Sequence, residues 1–531
     1  MAIGAAPIVL LVLATWLLVV QDFCLVDDAY ISFRYAANLA AGHGLVWNPG
    51  EYVEGYTNLL WVLLLTPFAR AGLDLTFVAI FASLLASSGV LELMRRLTAH
   101  VLPGRSPWIH ALPPLLLAFN PSFAYWAGSG MESALFALLS LGAIVAVGEM
   151  RGGRGKGWLV WLLLALAYFT RPEGALVAAI VLGVELLFGG GRFWQRFARL
   201  AMIGCGIALV IAGHVTCRYL YYGDVLPNTY YAKVIVGGVS LTRGLHHLGA
   251  FVLAGGLLAL VGLGALRRRP DDEWRPLWLH GYALLFVYTA YLVIIGGDIP
   301  PWNRFYLPLL PVPLIASVVV IARYFDRLTA SAWPRRLRWA VIAIVFVACT
   351  ARNVTTAEPS AARYGVLVQR SLQWLIDEFF QPSVPAHALV AMEAVGRVGY
   401  YTPNRIIDAL GLNNRYIAHQ RIRANPKRFF AHDKSDWLYV LKQRPDYIAM
   451  GRGQLPEPLP GYDTCWPTHK LLLLIVYRRR DFLWPHELGL GVPPGVRRRP
   501  EPPPQCILPP KKHFPRFDKK GKPVWTLPKL D

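Results

Sequence analysis

Long apolar runs separated by short polar loops fill residues 1–352. Residues 2–20 contain no charged side chain and lack the basic start of a removable signal peptide, so we expect a retained helix there. A run of about 20 apolar residues can cross a bilayer as a helix. The pattern predicts about 11 membrane-spanning helices, at about residues 2–20, 75–91, 107–124, 131–148, 158–170, 174–189, 200–217, 244–266, 276–296, 305–322 and 339–352.

The pattern changes after residue 352. Short apolar stretches alternate with amphipathic ones over residues 353–480, which is typical of a small α/β domain. We predict a helix at Ser371–Phe380 and strands at Leu389–Glu393, Tyr447–Met450 and Leu471–Tyr477. Residues 481–531 contain 12 prolines and repeated Lys and Arg, which indicates an extended tail.

Composition excludes a soluble enzyme and a disordered chain. Hydrophobic residues make up 55% of the 531 residues and charged residues 16%, whereas an average soluble chain is about 25% charged. The net charge is +21, but the basic residues lie in loops between apolar runs. We therefore expect a polytopic α-helical membrane protein and no nucleic-acid partner.

The basic residues divide unequally between two alternating sets of loops. Membrane proteins concentrate Lys and Arg in cytoplasmic loops, so the richer set predicts a cytoplasmic N-terminus and an extracytoplasmic α/β domain. We expect the cytoplasmic membrane as the location. The richer set comprises Arg95, Arg96, Arg105, Arg151, Arg154, Lys156, Arg192, Arg196, Arg199, Arg267, Arg268, Arg269, Arg275, Arg323, Arg327, Arg335, Arg336 and Arg338.

The predicted outer loops collect carboxylates at the ends of apolar runs, and the longest is a first outer loop at residues 22–74. A charged group near the centre of a bilayer costs on the order of 2.5–3.5 kcal/mol, so such groups usually face a cavity or one another. We predict one polar cavity on the outer side. Its candidate residues are Asp27, Asp28, Arg34, His43, Glu54 and Asn58 of the first loop, and Glu132, Arg171, Glu173, Asp224, Asn228, Lys233, Asp298 and Arg304 of later loops.

Several of these residues also have a simpler structural explanation. A carboxylate is a good helix cap or can end a helix or strand, an Arg–Glu pair can close a hairpin, and a His between glycines can be an ordinary loop residue. These alternatives stay open for Asp27, Asp28, Asp224, Asp298, Asp408, His43 and the Arg171–Glu173 pair.

Carboxylates beside Arg and Lys suit transfer of a group from a phosphate. A carboxylate can accept the proton of an acceptor hydroxyl, and Arg or Lys can hold the departing phosphate. The chain has no G-x-x-x-x-G-K-[ST] loop and no G-x-G-x-x-G after a strand. Because nucleotide sugars are not available outside the cytoplasmic membrane, the pattern favours a transferase with a lipid-linked donor.

A set of outer-side motifs spans about residues 20–450. They are Asp27–Tyr35, Gly42–Gly44, Asn48–Gly50, Val53–Asn58, Gly130–Glu132, Arg171–Gly174, Gly223-Asp224, Leu226–Thr229, Gly297-Asp298, Arg304-Phe305, Glu393-Ala394, Gly399–Tyr401 and Ile407–Asn413. Together they resemble the GT-C polyprenyl-phosphate-sugar glycosyltransferases, most closely the terminal arabinofuranosyltransferase branch known from mycobacteria. The first-loop motif is specific, and the shorter motifs are individually weak.

The resemblance implies a GT-C transmembrane catalytic domain at residues 1–352 and a domain at 353–480 that helps to bind the acceptor. It makes Asp28 the preferred catalytic residue, Asp27 the second and Glu54 a further candidate. Arg304, with Lys233 and Arg171, is expected to bind the donor phosphate. The expected substrate-binding residues are Arg34, His43, Asn58, Glu132, Glu173, Asp224, Asn228, Asp298, Asp408 and Asn413.

We expect transfer of a sugar, a pentose such as arabinofuranose, from a polyprenyl-phosphate donor to an extracytoplasmic glycan, glycolipid or protein acceptor. No metal or other cofactor is expected, although some GT-C relatives need a divalent cation. The stereochemical course stays open, because inversion needs one base and retention needs a second carboxylate or another route. The alternative is a transporter or flippase of lipid-linked glycans with an outward-facing cavity.

Overall fold

The computed structural model of the protein describes residues 6–13, 25–235, 237–252, 257–266, 274–297, 304–328, 368–422, 433–451, 462–466, 474–479, 516–517 and 523–524. The predicted span at 339–352 and the candidate residue Asp298 lie outside the described residues. So does most of the predicted tail at 481–531, apart from two short paired strands at Arg516–Phe517 and Pro523–Val524.

Helices form the described part of residues 1–352. They are α1 (6–13), α2 (Asp27–Ala40), α3 (Leu59–Arg70), α4 (Leu75–Val101), α5 (Pro107–Ala118), α6 (Pro121–Ala127), α7 (Ser133–Arg151), α8 (Gly157–Thr170), α9 (Gly174–Phe188), α10 (Phe193–Tyr222), α11 (Asn228–Lys233), α12 (Gly238–Phe251), α13 (Leu257–Val261), α14 (Arg275–Ile295) and α15 (Pro311–Leu328). Short 3₁₀ turns lie at Gly262–Leu266 and Arg304–Leu309.

Several of these helices suit a bilayer. By length and composition, α4, α7, α10 and α14 are each long and apolar enough to cross a membrane, and α3, α5, α8, α9 and α15 are shorter apolar helices. The chain is therefore a polytopic helical membrane protein. The number of about 11 spans stays a prediction.

The hairpin of α8 and α9 is shorter than a bilayer. The two helices contain 14 and 15 residues, so each rises about 21–23 Å, whereas the hydrocarbon core is about 30 Å thick. In the predicted topology this hairpin starts at the cytoplasmic side. Its turn, with Arg171 and Glu173, is therefore expected to lie below the outer surface of the bilayer.

The first outer loop is largely ordered into α2 and α3. Asp27 and Asp28 occupy the first turn of α2, where negative charge is favoured by the helix dipole. Eight consecutive residues of this helix, Ala29–Ala36, are buried. A surface helix would alternate buried and exposed faces, so α2 is an internal element that contacts other structure on every side.

The C-terminal part is a mixed sheet with short helices. The strands are β1 (Leu389–Met392), β2 (Arg405–Asp408), β3 (Tyr447–Gly451), β4 (Tyr462–Trp466) and β5 (Leu474–Arg479), in the order β2-β1-β3-β5-β4. Strand β1 runs parallel to β2 and β3, and β5 runs antiparallel to β3 and β4. Helix α16 (368–375) continues through a π-helical turn at Ile376–Phe380, and α17 (Gly396–Tyr401), α18 (Arg415–Ala418) and α19 (Trp437–Lys442) follow.

The three predicted strands match β1, β3 and β5, and the predicted helix at Ser371–Phe380 lies within helical residues. The pattern did not predict β2 or β4. Strand β2 has only four residues and overlaps a motif that we interpret as a binding segment. The side of the membrane on which the sheet lies stays a prediction.

Arg34 on α2 fastens the first outer loop to this sheet. Its guanidinium is 7% exposed and donates to the Trp47 carbonyl at 2.8 Å, the Gly399 carbonyl at 2.6 Å and the Asn404 carbonyl at 2.9 Å. It also donates to the Asn48 side chain at 3.1 Å. One side chain therefore holds loop and sheet together, because a buried guanidinium needs acceptors on every side.

We expect Arg34→Met to lower the thermal unfolding midpoint of the detergent-purified protein. The change leaves several buried carbonyls without a donor, which costs about 1–3 kcal/mol for each such group. Arg70→Met is the matched control, because Arg70 is an exposed arginine at the end of α3. If both variants melt at the native temperature, Arg34 does not fasten the loop to the sheet.

Candidate active site

Five predicted outer loops meet in one cavity of about 190 Å³. Residues from α2, from the segment before α3 and from the turns at 131–132 and 171–173 line it, together with α11, α14 and the 3₁₀ turn at Arg304–Leu309. The candidate residues that the structure brings together here are Asp28, Asn58, Glu132, Arg171, Glu173, Lys233 and Arg304.

Arg171 joins two carboxylates at the floor of the cavity. Its Nη1 donates to Glu132 Oε1 at 2.6 Å and its Nη2 to Glu173 Oε1 at 3.1 Å. The second oxygen of Glu132 accepts from Asn58 Nδ2 at 2.8 Å, and Asn58 in turn contacts the Ser32 hydroxyl. This buried network fixes three helices and the first loop relative to one another, because each charge depends on its partners.

Asp28 and Lys233 face each other across the cavity. Asp28 is the second residue of α2, Lys233 is the last residue of α11, and Lys233 Nζ lies 3.6 Å from Asp28 Oδ2. Gly223 ends α10 with a φ of +76° and so turns the chain towards α11. The side chains of Asp28 and Lys233 remain 31% and 21% exposed, so both can reach a ligand.

Aromatic rings hold Arg304 in place. Its guanidinium carbon lies 5.1 Å from the Trp126 ring centroid and 4.8 Å from that of Phe305. The Arg171 guanidinium lies 4.4 Å from the centroid of the same Phe305 ring. Cation–π contacts orient a guanidinium, and Arg304 lines the cavity, so this arrangement suits an arginine that binds an anionic ligand.

Comparison with known proteins supports this description. Residues 362–484 match the family model "Domain of unknown function (DUF8728)". The chain is similar to the terminal beta-(1->2)-arabinofuranosyltransferases of Mycobacterium tuberculosis, at 32% identity over 46% of this chain and 42% of the relative, and of Corynebacterium glutamicum, at 28% identity over 56% and 48%. The chain thus spans less than half the length of each of these curated relatives.

The crystal structure of ArnT from Cupriavidus metallidurans bound to undecaprenyl phosphate superposes with a TM-score of 0.57, covering 89% of this chain and 98% of that chain at 13% identity. ArnT has the GT-C fold. The protein has the GT-C fold. This confirms the family resemblance that the outer-side motifs predict.

Asp27 and Glu54 were predicted as catalytic residues, but neither lines the cavity of the GT-C fold. Asp27 accepts from the backbone N–H groups of Gly396 at 2.9 Å and Arg397 at 2.7 Å, so it caps α17. Burial raises its pKa to about 6, and these two hydrogen bonds oppose the rise. Burial likewise raises the pKa of Glu54 to about 7, against the opposing effect of its partner Arg218.

Four predicted substrate-binding residues hold the framework together. Arg34 fastens loop to sheet, and Asn228 donates to the Gly411 and Leu412 carbonyls at 2.8 Å. Asp408 accepts from three backbone N–H groups and from Asn413, which closes the turn after β2. Burial raises the pKa of Asp408. The segment therefore forms a turn at the end of β2, which is the structural alternative that the sequence analysis leaves open for Asp408.

Two further candidates lie outside the cavity, and one candidate within it has another role. Asp224 pairs with Arg415 at 2.9 Å, away from the cavity. His43 is exposed in the turn after α2, as expected of an ordinary loop residue. Arg171 was predicted to bind phosphate, but its two terminal nitrogens contact carboxylates, so its position suits a role in orienting the site.

Sequence analysis did not select several residues that line the cavity. Ser32, Thr229, Tyr230 and Tyr291 all contribute to its wall. Thr229 and Tyr230 lie beside Asn228. These two residues could have been selected from the sequence, because a short apolar run is followed there by Asn, Thr and two Tyr residues. Tyr291 lies inside an apolar run, and nothing in the sequence distinguishes it from a packing residue.

The carboxylates of the cavity do not form a metal site. Asp28 contacts Lys233, and Glu132 and Glu173 both contact Arg171. Across the described part of the chain, no group of three or more His, Cys, Asp or Glu residues is placed to hold a metal ion. We therefore derive no chemical step through a metal, and the expectation of a metal-free reaction stays a prediction.

We expect Glu132→Gln to destabilise the protein by about 1–3 kcal/mol, because an amide N–H₂ then faces either Arg171 or Asn58, which both donate. The measurement is the thermal unfolding midpoint in detergent. Glu149→Gln, at an exposed position of the same helix α7, should leave the midpoint unchanged. Equal midpoints for both variants would contradict the buried network.

Proposed function

We propose that this protein is a membrane glycosyltransferase. It moves a sugar, a pentose such as arabinofuranose, from a polyprenyl-phosphate donor to an extracytoplasmic glycan, glycolipid or protein acceptor. The observation that carries the proposal is the cavity itself, in which a carboxylate, Asp28, faces two cations, Lys233 and Arg304, on a GT-C fold.

The comparisons support the sugar and the donor of this proposal. The two curated relatives are named arabinofuranosyltransferases, which favours arabinofuranose as the sugar. ArnT binds undecaprenyl phosphate, which favours a polyprenyl-phosphate donor. The predicted topology places the cavity on the outer side of the cytoplasmic membrane, where a lipid-linked donor is the available kind.

Asp28 is the proposed general base. In the transfer step the acceptor hydroxyl oxygen bonds to the anomeric carbon of the sugar, and the bond from that carbon to the phosphate oxygen breaks. The hydroxyl proton passes to the Asp28 carboxylate, and the electron pair leaves with the polyprenyl phosphate. Asp28 suits this role because its carboxylate is partly exposed and lies at the cavity wall.

Lys233 and Arg304 are the proposed phosphate ligands. Lys233 provides a point charge at the end of α11, and Arg304 provides a planar group fixed by two aromatic rings. Both line the cavity beside Tyr291 and Ile295 of α14, which offer an apolar surface for the first carbons of a polyprenyl chain. Arg171 orients Glu132 and Glu173 beneath them.

A transporter or flippase is the less favoured alternative. Such a protein needs a polar path through both halves of the membrane. The mixture of carboxylates, Arg and Lys that lines the described cavity instead comes entirely from loops predicted to lie on one side. An enzyme that receives its donor and acceptor from that side needs only such an arrangement.

We expect Asp28→Asn to reduce turnover by about 10²–10⁴-fold, because the amide keeps the size of the side chain but cannot accept a proton. Transfer from a radiolabelled polyprenyl-phosphate arabinofuranose is the measurement. Asp74→Asn is the control, since Asp74 is an exposed N-cap in the same outer loop and Asn caps as well. Native turnover in Asp28→Asn would remove this residue from the chemistry.

We expect Arg304→Ala to weaken donor binding by about tenfold or more, because a charge-assisted hydrogen bond contributes about 1.5–3 kcal/mol. Arg304→Lys should recover only part of the affinity, since the fork geometry is lost. Equilibrium titration with the lipid donor is the measurement, and Arg154→Ala, at an exposed position, is the control. An unchanged donor affinity in Arg304→Ala would assign the phosphate to other groups.

A further inference from the structure

A second and larger cleft lies between the first outer loop and the C-terminal sheet. Its volume is about 850 Å³, within the range of sites that bind sizeable ligands. The segment Glu51–Val53 forms one wall, and residues from β2, α18 and α19 form the other. Nothing in the transfer step proposed above uses this cleft.

Tyrosine rings line the cleft from both walls. Tyr416 and Tyr439 stack face to face, with ring centroids 4.0 Å apart and an angle of 19° between the rings, so the exposed Tyr416 ring is supported from behind by Tyr439, and we call this pair the Tyr416–Tyr439 platform. Tyr52 lies on the opposite wall. Tyr52 and Tyr416 are each 53% exposed. A half-exposed tyrosine offers an apolar face and a polar edge to a ligand.

The charged groups of the cleft already have protein partners. Arg405 Nε donates to Glu51 Oε1 at 2.6 Å, and Arg415 Nη2 donates to Asp224 Oδ1 at 2.9 Å. The Asp408 carboxylate accepts four hydrogen bonds from its own turn. Because both arginines are paired with carboxylates and Asp408 is satisfied by hydrogen bonds, such a lining favours a neutral polar ligand over a strongly acidic or basic one.

Only the thickness of the chain separates this cleft from the active cavity. Val53 lines the cleft and Gly55 lines the cavity, while Asn413 lines the cleft and Leu412 the cavity. The Tyr35 hydroxyl fixes one side of this wall, since it donates to the Val53 carbonyl at 2.6 Å and accepts from the Gly55 N–H at 2.9 Å. A long ligand held in the cleft therefore has its end beside the active cavity.

We propose that the cleft binds the inner sugar residues of a glycan acceptor while the end of the glycan reaches Asp28. A neutral oligosaccharide has apolar C–H faces for the Tyr416–Tyr439 platform and hydroxyl groups for the polar lining, including Gln443 and Asn414. The inference rests on the proposed function in one respect only, namely that the end of this glycan receives the sugar. Binding in the cleft can be tested separately.

The experiment titrates the full-length protein in detergent, without donor, with linear hexasaccharides of arabinofuranose, mannose and glucose, and with the corresponding monosaccharides. We expect at least one hexasaccharide to bind more tightly than its monosaccharide. Tyr416→Ala and Tyr52→Ala should each weaken hexasaccharide binding by about three- to tenfold, the size expected for one lost aromatic contact. Leu438→Ala is the matched control, because Leu438 is exposed beside Tyr439 on α19 and does not line the cleft.

Transfer assays with the same acceptors then separate the two proposals. We expect the KM for the hexasaccharide to rise in Tyr416→Ala. The kcat, and the KM for the monosaccharide, should both stay within about twofold of native. Tyrosine-dependent binding without any transfer would support the cleft and contradict the proposed function. Absence of binding to all three hexasaccharides, unchanged affinity in both tyrosine variants, or tighter tyrosine-dependent binding of an unrelated neutral peptide would overturn the inference.

Discussion

The structure depends on a buried guanidinium that joins two parts of the chain more than 350 residues apart. Arg34 donates to Gly399 and Asn404 of the C-terminal part as well as to Trp47 and Asn48 of its own loop. A buried cation without these acceptors would cost several kcal/mol, so α2 has one stable position relative to the sheet. Because Asp28 is on the same helix, the position of the proposed base follows from this contact.

A second constraint is the length of the α8–α9 hairpin. Helices of 14 and 15 residues are too short to cross the bilayer, so in the predicted topology their turn brings Arg171 and Glu173 below the outer membrane surface. Such charges must be paired there, and Arg171 donates to Glu132 at 2.6 Å and to Glu173 at 3.1 Å, while Asn58 donates to Glu132 at 2.8 Å. The active cavity thus has a rigid floor, built by the helices, and a wall that the first loop supplies only after it has docked on the sheet.

The sequence predicts the positions of the helices, three of the strands and the loops that meet in the cavity, because apolar runs and membrane-boundary charges are local signals. It does not distinguish Asp27 from Asp28. Successive helix residues point about 100° apart, so the two carboxylates face different parts of the structure. Asp27 faces α17 and Asp28 faces the cavity. The position of the C-terminal sheet against α2 determines these two roles. The sequence does not predict the Tyr416–Tyr439 platform either, because its two residues come from separate short helices and meet only in the folded domain.

The charges of the active cavity also suggest how the donor prepares the base. The cavity is lined by three cations and three carboxylates, namely Arg171, Lys233 and Arg304, and Asp28, Glu132 and Glu173. Arg171 is held by two carboxylates, whereas Lys233 contacts Asp28 at the longer distance of 3.6 Å. In the proposed reaction a donor phosphate competes with Asp28 for Lys233. When the phosphate binds Lys233, the Asp28 carboxylate is released to accept the hydrogen bond of an acceptor hydroxyl, so the proton is taken beside a sugar that is ready to be transferred.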